Sequence, residues 1–313
     1  MTELVTIFGA SGFIGRYVVQ ELAKRGARIR AVTRDPHTAQ VLKPLAGLGQ
    51  LGFAKASLTD EAAIAAACEG AAAVVNLIGI LDGSTADFEL AQRDGPRRIA
   101  KAAAAAGAKA FVQISAIGAD ADDEDGPDYA RTKGEGEAAV KAAFPSATII
   151  RPSIVFGPED DFLNRFAGLM RIVPVMPVVA PQAQFQPVFV NDLAEAIAAA
   201  AMTPEIHGGK TYEIGGPDVM TMKALFGFIA RAIARDVSFV DVPDAVAGGA
   251  ARALGWMPGA PMTHDQWLML QKPNVVAGEN GLKAFGISPT PMQAVAPGWL
   301  VRFRRQGRFT EAA

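Results

Sequence analysis

Tyr129 and Lys133 are the residues of this sequence that point most directly to chemistry, because they stand four apart in DYARTKGEGEAA. That spacing places two side chains on one face of a helix. A free tyrosine titrates near pH ~10, so its hydroxyl is a poor acid or base at neutrality. A nearby ammonium favours the phenolate and lowers that pKa. The pair can therefore pass a proton to a carbonyl group, although the spacing is common and both residues could instead only bind a ligand.

A run of glycines near the start of the chain predicts an anion-binding turn. Gly9, Gly12 and Gly15 lie in GASGFIG, after the apolar run LVTIF and before a helical pattern. The first glycine permits the tight bend, the second lets a pyrophosphate approach closely, and the third lets the helix pack against the sheet. The helix start adds unpaired N–H groups and partial positive charge. We expect a dinucleotide here rather than a plain turn, held by Gly9, Ser11, Gly12, Phe13 and Ile14.

The tip of the second predicted strand bears on which dinucleotide is bound. An NAD site usually has an acid there, which binds the ribose 2′-OH. Here the tip reads Thr33-Arg34-Asp35, so a threonine takes the carboxylate position and a cation follows it. Arg34 could bind a 2′-phosphate in two-pronged fashion, which favours NADP(H). NAD(H) stays open, because Arg34 could be a solvated surface residue and Asp35 could serve a ribose. We expect Asp60 to lie near the adenine, to cap the next helix, or to do both.

Short apolar runs alternate with helical runs in the first half of the chain. AAVVNLIGI and AFVQIS are apolar enough for strands buried on both faces, and helices are predicted from Phe13 to Gly26 and from about Tyr129 to Ala143. This alternation predicts a parallel sheet covered on both sides. From Val155 the chain is richer in proline and glycine. We therefore predict an α/β fold: a Rossmann-type doubly wound parallel sheet in residues 1–155 and 185–202, with a smaller C-terminal α+β lobe in residues 156–184 and 203–313.

Composition argues against several classes of protein. The net charge of −2 argues against a protein built to hold nucleic acid. Cys68 is the single cysteine and cannot form an internal disulfide, which indicates a reducing compartment. The three histidines are scattered, so no metal site is predicted. No segment is long and apolar enough to span a membrane, so we expect a cytoplasmic protein that could still lie peripherally on a membrane.

The order of the motifs resembles the extended short-chain dehydrogenase/reductases. They are Gly-x-x-Gly-x-x-Gly at Gly9, Tyr-x-x-x-Lys at Tyr129, RPSIVFGPED at Arg151, VFVNDLAEAI at Val188 and YEIGGP at Tyr212. Within that superfamily, RYVVQELAKRGARIRAVTR, EDDFLNRFAGLMRIVPVMPVV and FQPVFVNDLAEAI resemble the NADPH-binding accessory subunits of respiratory complex I, in a bacterial form. The resemblance covers most of the chain. It implies a subunit that holds NADPH tightly in a structural role, docked on the peripheral arm near the membrane.

The resemblance also implies further binding positions and two departures from the family pattern. The positions are Leu77, Ile78 and Gly79 after the fourth strand, Ser115 after the fifth, and Pro152 to Val155, including Ile154, beside the nicotinamide. Ile117 stands where the family's catalytic hydroxyl aligns, and Gln92 stands near its catalytic asparagine. We therefore expect Tyr129 and Lys133 to hold the nicotinamide ribose, with proton transfer as the alternative role.

The end of the chain, PGWLVRFRRQGRF, combines arginines with aromatic residues. Such a segment suits an anionic lipid surface or an acidic partner groove, and a frayed basic tail is the alternative. The predicted contacts with an anionic membrane surface are Arg302, Arg304, Arg305 and Arg308.

These features and the resemblance together imply three alternative functions. The first is an NADP(H)-binding accessory subunit without independent turnover, whose partners are other subunits of complex I on the cytoplasmic face of the inner membrane. The second is an active NADP-dependent reductase or epimerase that acts on a carbonyl or nucleotide-sugar substrate through Tyr129 and Lys133. The third is a regulator that senses NADPH.

Overall fold

A computed structural model describes residues 3–123, 125–255, 257 and 262–309, except for the side chain of Arg308. Its strands, in chain order, are β1 (Leu4–Phe8), β2 (Arg28–Thr33), β3 (Leu51–Lys55), β4 (Ala73–Asn76), β5 (Ala110–Ile114), β6 (Thr148–Pro152), β7 (Val155–Phe156), β8 (Val175–Val179), β9 (Gln184–Phe185), β10 (Val188–Phe189), β11 (Thr211–Ile214), β12 (Met220–Thr221) and β13 (Ser238–Val242).

The α-helices, in the same order, are α1 (Phe13–Lys24), α2 (Glu61–Cys68), α3 (Thr85–Phe88), α4 (Gly95–Ala105), α5 (Asp128–Ala143), α6 (Asp161–Met170), α7 (Val190–Met202), α8 (Pro204–His207), α9 (Met222–Ala232), α10 (Asp244–Leu254), α11 (His264–Met269), α12 (Met292–Val295) and α13 (Pro297–Leu300). A π-helical turn, Glu89–Asp94, joins α3 to α4, and short 3-10 turns lie at Thr38–Leu45, Gly281–Phe285, Val301–Phe303 and Gly307–Phe309.

The first compact unit, residues 1–152, 190–214 and 279–287, is built on a parallel sheet of seven strands. The strand order is β3-β2-β1-β4-β5-β6-β11, so the winding direction reverses between β1 and β4. This is the doubly wound Rossmann-type sheet expected from the sequence. Ligands of such sheets bind beyond the carboxyl ends of the strands at the reversal point, where the loops after β1 and β4 lie side by side.

Helices cover both faces of this sheet. One face carries α2, α4 and α5, whose side chains form a core with the strands around Ile64, Ile99, Phe111 and Val140. The other face carries α1 and α7, which pack against each other. Every residue of β4 and β5 is buried, because a strand with helices above and below exposes neither face.

The second unit, residues 153–189, 215–278 and 288–313, has its own core. Helices α6 and α9 pack together there, and two parallel strands, β8 and β13, lie beside them. Leu163, Met170, Leu225, Phe226 and Ile229 are fully or almost fully buried in this core. The unit is the smaller α+β part of the fold.

Several boundaries differ from the sequence-based ones. The run AAVVNLIGI forms a strand only to Asn76, because the Asn76 side chain accepts a hydrogen bond from the Ile78 N–H and turns the chain. β11 and residues 279–287 belong to the first unit, and residues 153–155 and 185–189 belong to the second.

In the described part of the chain, no helix combines the length and apolar character needed to cross a bilayer.

Candidate functional site

The glycine turn after β1 is packed so closely that side chains have no room. Gly9 has a φ of +82°, and a Cβ atom there would lie 3.2 Å from the carbonyl carbon of Leu77 and 3.3 Å from the Ile78 nitrogen. A Cβ atom at Gly15 would overlap the Gly9 carbonyl oxygen and lie 2.5 Å from that of Ala10. Gly9 therefore brings the loops after β1 and β4 together, and Gly15 lets α1 begin directly on the turn.

The start of α1 offers an anion its backbone rather than a side chain. Gly12 is the N-cap residue and supplies no side-chain hydrogen bond, and the first turn carries no acidic residue. The first N–H groups of a helix have no intrahelical partner, and the helix dipole adds partial positive charge. Ser11, Phe13 and Ile14 lie in this same turn. The arrangement suits a phosphate group that approaches between the two loops.

At the tip of β2, the Arg34 side chain is available to a ligand, while Thr33 and Asp35 form hydrogen bonds within the turn. Arg34 is exposed, and no ion pair or hydrogen bond joins its side chain to another residue of the described ranges. The Asp35 carboxylate accepts a hydrogen bond from the His37 N–H at 2.9 Å, and the Thr33 hydroxyl lies 3.3 Å from the backbone of Asp35. The carboxylate thus stabilises the turn, while the guanidinium stays free for a second anion.

Asp60, the other predicted contact on this side, caps α2. Its Oδ1 accepts a hydrogen bond from the Ala63 N–H at 3.0 Å. The cap uses one carboxylate oxygen and leaves the residue exposed. A role beside a bound adenine is compatible with that geometry and stays a prediction.

Lys133 is a buried cation that faces the loop after β4. Its residue is only 5 % exposed, and Nζ donates a 3.3 Å hydrogen bond to the Ile114 carbonyl oxygen at the end of β5. A Cβ atom built on Gly79 would lie 3.0 Å from Nζ. Burial lowers the pKa of Lys133 to about 8, and the nearby Glu137 carboxylate opposes that shift. An ammonium has three donors, so Nζ can donate further hydrogen bonds to a ligand.

Tyr129 lies one turn before Lys133, as the four-residue spacing predicted. The Lys133 Nζ is 5.9 Å from the centre of the Tyr129 ring, and the ring is half-buried with its edge against Phe88. The two groups are close enough for the ammonium to act electrostatically on the phenol.

Ser115 presents a buried hydroxyl directly after β5. Its Oγ has no hydrogen-bond partner within the described residues, and the residue is 3 % exposed. An unpaired buried hydroxyl is costly, so this atom fits a site that a polar ligand completes. Ile117, two residues on, is a buried aliphatic side chain whose N–H donates to the Pro152 carbonyl oxygen. Position 117 therefore supplies no hydroxyl group.

Gln92 links two segments that border the candidate site. It lies in the π-helical turn, is 1 % exposed, and donates from Nε2 to the Ile80 carbonyl oxygen at 2.9 Å. The Thr132 hydroxyl lies 3.5 Å from its Oε1. Gln92 thereby ties the loop after β4 to α5, the helix that carries Tyr129 and Lys133.

An ion pair that the sequence analysis did not identify lies behind Lys133. Glu137 and Arg151 form two parallel 2.8 Å hydrogen bonds, and Glu137 is 4 % exposed. The available signals were weak: a lone arginine at the end of the apolar run ATIIRP, and a glutamate four residues after Lys133.

The remaining predicted contacts lie in both units. Leu77 donates its N–H to the Phe8 carbonyl oxygen, and Leu77 and Ile78 line the approach to Gly9. Pro152 ends β6 in the first unit. Ile154 lies in the second unit, where its N–H donates to the Asn274 Oδ1 at 2.9 Å.

The structure does not support the proposed membrane role of the C-terminal arginines. Arg302 donates to the Pro158 carbonyl oxygen and to Asn164 Oδ1, and Arg304 donates to the Ala232 carbonyl oxygen. These guanidinium groups bind the second unit itself. Among the arginines of this segment whose side chains the structure describes, Arg305 is exposed and makes no such bond, and the Arg308 side chain lies outside the description. In the described ranges, no group of three or more His, Cys, Asp or Glu side chains could hold a metal ion.

Comparison with known proteins places this geometry among nucleotide-binding relatives. The model of the NAD dependent epimerase/dehydratase family matches residues 5–215. The chain is 34% identical over 296 residues to NADH dehydrogenase (ubiquinone) 1 alpha subcomplex subunit 9, mitochondrial, of Rattus norvegicus, covering 93% of this chain and 78% of the relative. It is also 34% identical over 203 residues to a ceramide reductase of Caulobacter vibrioides, covering 64% of this chain and 62% of that protein.

A solved structure shares the fold. The NADPH-dependent quinone oxidoreductase of Escherichia coli, complexed with NADPH, superposes with a TM-score of 0.75 over 95% of this chain and 99% of its own. The two sequences are 22% identical, so this likeness concerns the fold alone.

Proposed function

We propose that this chain, which belongs to the NAD dependent epimerase/dehydratase family, holds NADP(H) in a structural role as an accessory subunit of respiratory complex I. Relatives that carry a complex I subunit name match over most of the chain. The observation that supports the proposal is a glycine turn without room for side chains at the start of α1, together with an isoleucine, Ile117, at the position where the family resemblance places a catalytic hydroxyl. The partners would be other subunits of the complex, on the cytoplasmic face of the inner membrane.

Each part of the cradle has a proposed task. The turn Gly9 to Ile14 would hold the diphosphate on the N–H groups of α1, and Arg34 would bind the 2′-phosphate, which favours NADP(H) over NAD(H). Asp60 would lie near the adenine. The groups of the first unit proposed around the nicotinamide end are Leu77, Ile78, Gly79, Ser115, Tyr129, Lys133 and Pro152.

Lys133 supplies charge and donors at that end. Its ammonium is buried and still has unused N–H groups, so it can donate to ribose hydroxyls. The unpaired Ser115 hydroxyl can accept or donate one more hydrogen bond. A nucleotide bound in this way stabilises the folded chain by mass action, which suits a subunit that must stay folded within a larger assembly.

A second candidate is an active reductase. The specific observation is the Tyr129–Lys133 pair, with Nζ 5.9 Å from the ring centre, and the similarity to a ceramide reductase. When bound, NADPH supplies a hydride; the Tyr129 hydroxyl would then give its proton to the reduced carbonyl oxygen, helped by the Lys133 ammonium. The two candidate functions differ in whether the protein turns over a substrate although position 117 has no hydroxyl.

Two measurements test the proposal. Mass spectrometry of the denatured protein identifies any nucleotide that copurifies, and NADP(H) is expected. Purification of complex I from native membranes should recover this chain in stoichiometric amount. A protein recovered alone and without nucleotide contradicts the proposal.

The enzyme candidate has its own test. Purified protein is incubated with NADPH and a panel of carbonyl and nucleotide-sugar compounds, beside the Tyr129→Phe variant. Absence of turnover supports the structural role. Turnover that Tyr129→Phe abolishes while NADPH affinity is kept establishes the reductase instead.

A further inference from the structure

Lys133 and Glu137 are neighbours on one face of α5. Four residues separate them, so they occupy successive turns of the same helix face. Both are buried, at 5 % and 4 % exposure, and they carry opposite charges. A buried lysine and a buried glutamate at this spacing would ordinarily form a direct ion pair. Within the described residues no such pair forms, since Lys133 donates to the Ile114 carbonyl oxygen.

Arg151 explains why the pair stays open. Its Nε donates to Glu137 Oε1 and its Nη2 to Oε2, each at 2.8 Å. This two-pronged geometry fixes the carboxylate plane and occupies both oxygens, so the carboxylate cannot turn toward the ammonium without losing two charge-assisted hydrogen bonds. Arg151 projects from β6, which places the anchor on a rigid strand.

The charged groups around the Glu137–Arg151 pair come from several elements. Glu137 lies on α5 with Lys133 and Tyr129, Arg151 on β6, Glu213 on β11, and Asp120 in the loop after β5. Glu213 Oε1 lies 3.8 Å from Arg151 Nη1, and Asp120 also acts on Arg151 electrostatically. Both acids raise the pKa of Arg151 and so help to keep the guanidinium charged where it binds Glu137.

We propose that Glu137 is a positioning residue that keeps Lys133 charged, and that Arg151 holds Glu137 back so that the ammonium donors remain available to a nucleotide. The proposal rests on the proposed function, because the nucleotide is what Lys133 would bind. Without Glu137, burial alone acts on the ammonium and neutralises it more readily. Without Arg151, Glu137 is free to bind Lys133 directly and use the donors that a ribose needs.

The two substitutions therefore have opposite signatures. Glu137→Gln keeps an acceptor for Arg151 but removes the negative charge, so the pKa of Lys133 falls by about one unit. Arg151→Met releases the carboxylate, so the pKa of Lys133 rises, while NADPH affinity drops about tenfold at every pH because the donors are taken. A merely structural role would move neither titration.

The first experiment uses the nucleotide-free full chain. Lysine is isotope-labelled at Cε, the Lys133 signal is assigned by its loss in Lys133→Arg, and its chemical shift is followed against pH by NMR. Glu135→Gln is the matched control, because Glu135 lies on the same helix but pairs with Arg131 and Arg93. We expect Glu137→Gln to lower the midpoint and Glu135→Gln to leave it unchanged. An unchanged midpoint in folded Glu137→Gln overturns the proposal.

The second experiment measures the Kd of NADPH by its fluorescence across the same pH range. In the wild type the affinity should fall as Lys133 loses its proton, and in Glu137→Gln the fall should begin about one pH unit lower. If the wild type binds no NADPH, the proposed function fails, while the titration of the free chain still decides the role of Glu137. Circular dichroism establishes that each variant is folded. If Arg151→Met proves unfolded, Glu137→Gln carries the test by itself.

Discussion

The Nζ atom of Lys133 lies 3.0 Å from the position that a Cβ atom would take at Gly79. Lys133 on α5 is thus close to the loop after β4, although the two segments are more than fifty residues apart in the chain. It places a buried positive charge at the carboxyl end of the sheet, where the proposed nucleotide would end. The bare backbone at Gly79 is what gives the ammonium its space.

Gly79→Ala should therefore weaken nucleotide binding without unfolding the protein. The new methyl group crowds Nζ and pushes the lysine from its contact with the Ile114 carbonyl oxygen. We expect the Kd of NADPH, measured by fluorescence titration, to rise about tenfold, which corresponds to ~1.4 kcal/mol. Gly298→Ala, where an added Cβ atom meets nothing within 4 Å, is the control and should bind normally. An unchanged Kd in Gly79→Ala would contradict the prediction that the space at Gly79 sets the position of Nζ for nucleotide binding.

Gly15→Ala should destabilise the chain, although alanine usually favours a helix. The added Cβ atom overlaps the Gly9 and Ala10 carbonyl oxygens, so the turn must shift, and we expect a loss of about 1–3 kcal/mol in the free energy of unfolding. Gly249→Ala in α10 meets nothing within 4 Å and should instead gain about 0.5–1 kcal/mol. Urea denaturation measures both, and equal effects in the two variants would contradict the packing argument.

Arg34→Ala should separate the two dinucleotides. An exposed guanidinium at the tip of β2 can bind a 2′-phosphate, which NADH lacks. We expect the Kd of NADPH to rise about tenfold or more and that of NADH to change little, measured side by side by calorimetry. A similar loss for both nucleotides would mean that Arg34 does not recognise the phosphate.

Lys133→Met should stabilise the nucleotide-free chain at neutral pH. The pKa of Lys133 in the folded chain, about 8, lies below the usual lysine pKa of 10.5, so between these values the unfolded chain binds more protons. The wild-type free energy of unfolding therefore contains a contribution that increases across that range, on the order of 3 kcal/mol. The difference between Lys133→Met and wild type should be largest below about pH 8 and should shrink toward pH ~10.5. A difference that is independent of pH would exclude titration of Lys133 as its cause.

Asp160→Ala should destabilise the second unit through the start of α6. The buried carboxylate accepts hydrogen bonds from the Leu163 N–H with one oxygen and from the Gly157 N–H with the other. Losing this N-cap should cost about 1–2 kcal/mol by urea denaturation. Asp161→Ala, at the exposed neighbouring position, should cost less than about 0.5 kcal/mol. Equal losses would show that the cap contributes nothing specific.

Local signals in the sequence determined the parallel sheet, the glycine turn and the spacing of Tyr129 and Lys133. Apolar runs predict strands buried on both faces, and the turn lies within a few residues of chain, so its geometry depends on neighbours in sequence. The same logic predicted Asp60 as the cap of α2, which its bond to Ala63 confirms.

Tertiary structure alone decided the environment of each charge. Three examples each involve segments far apart in the chain. Lys133 is buried beside Gly79, and Arg151 forms two hydrogen bonds with Glu137. Arg302 and Arg304 donate hydrogen bonds to distant carbonyl oxygens. Desolvation and hydrogen bonding depend on what surrounds a group in space. The sequence shows only that an arginine lies beside aromatic residues. Whether its guanidinium is available to a partner or is hydrogen-bonded within the fold depends on the tertiary structure.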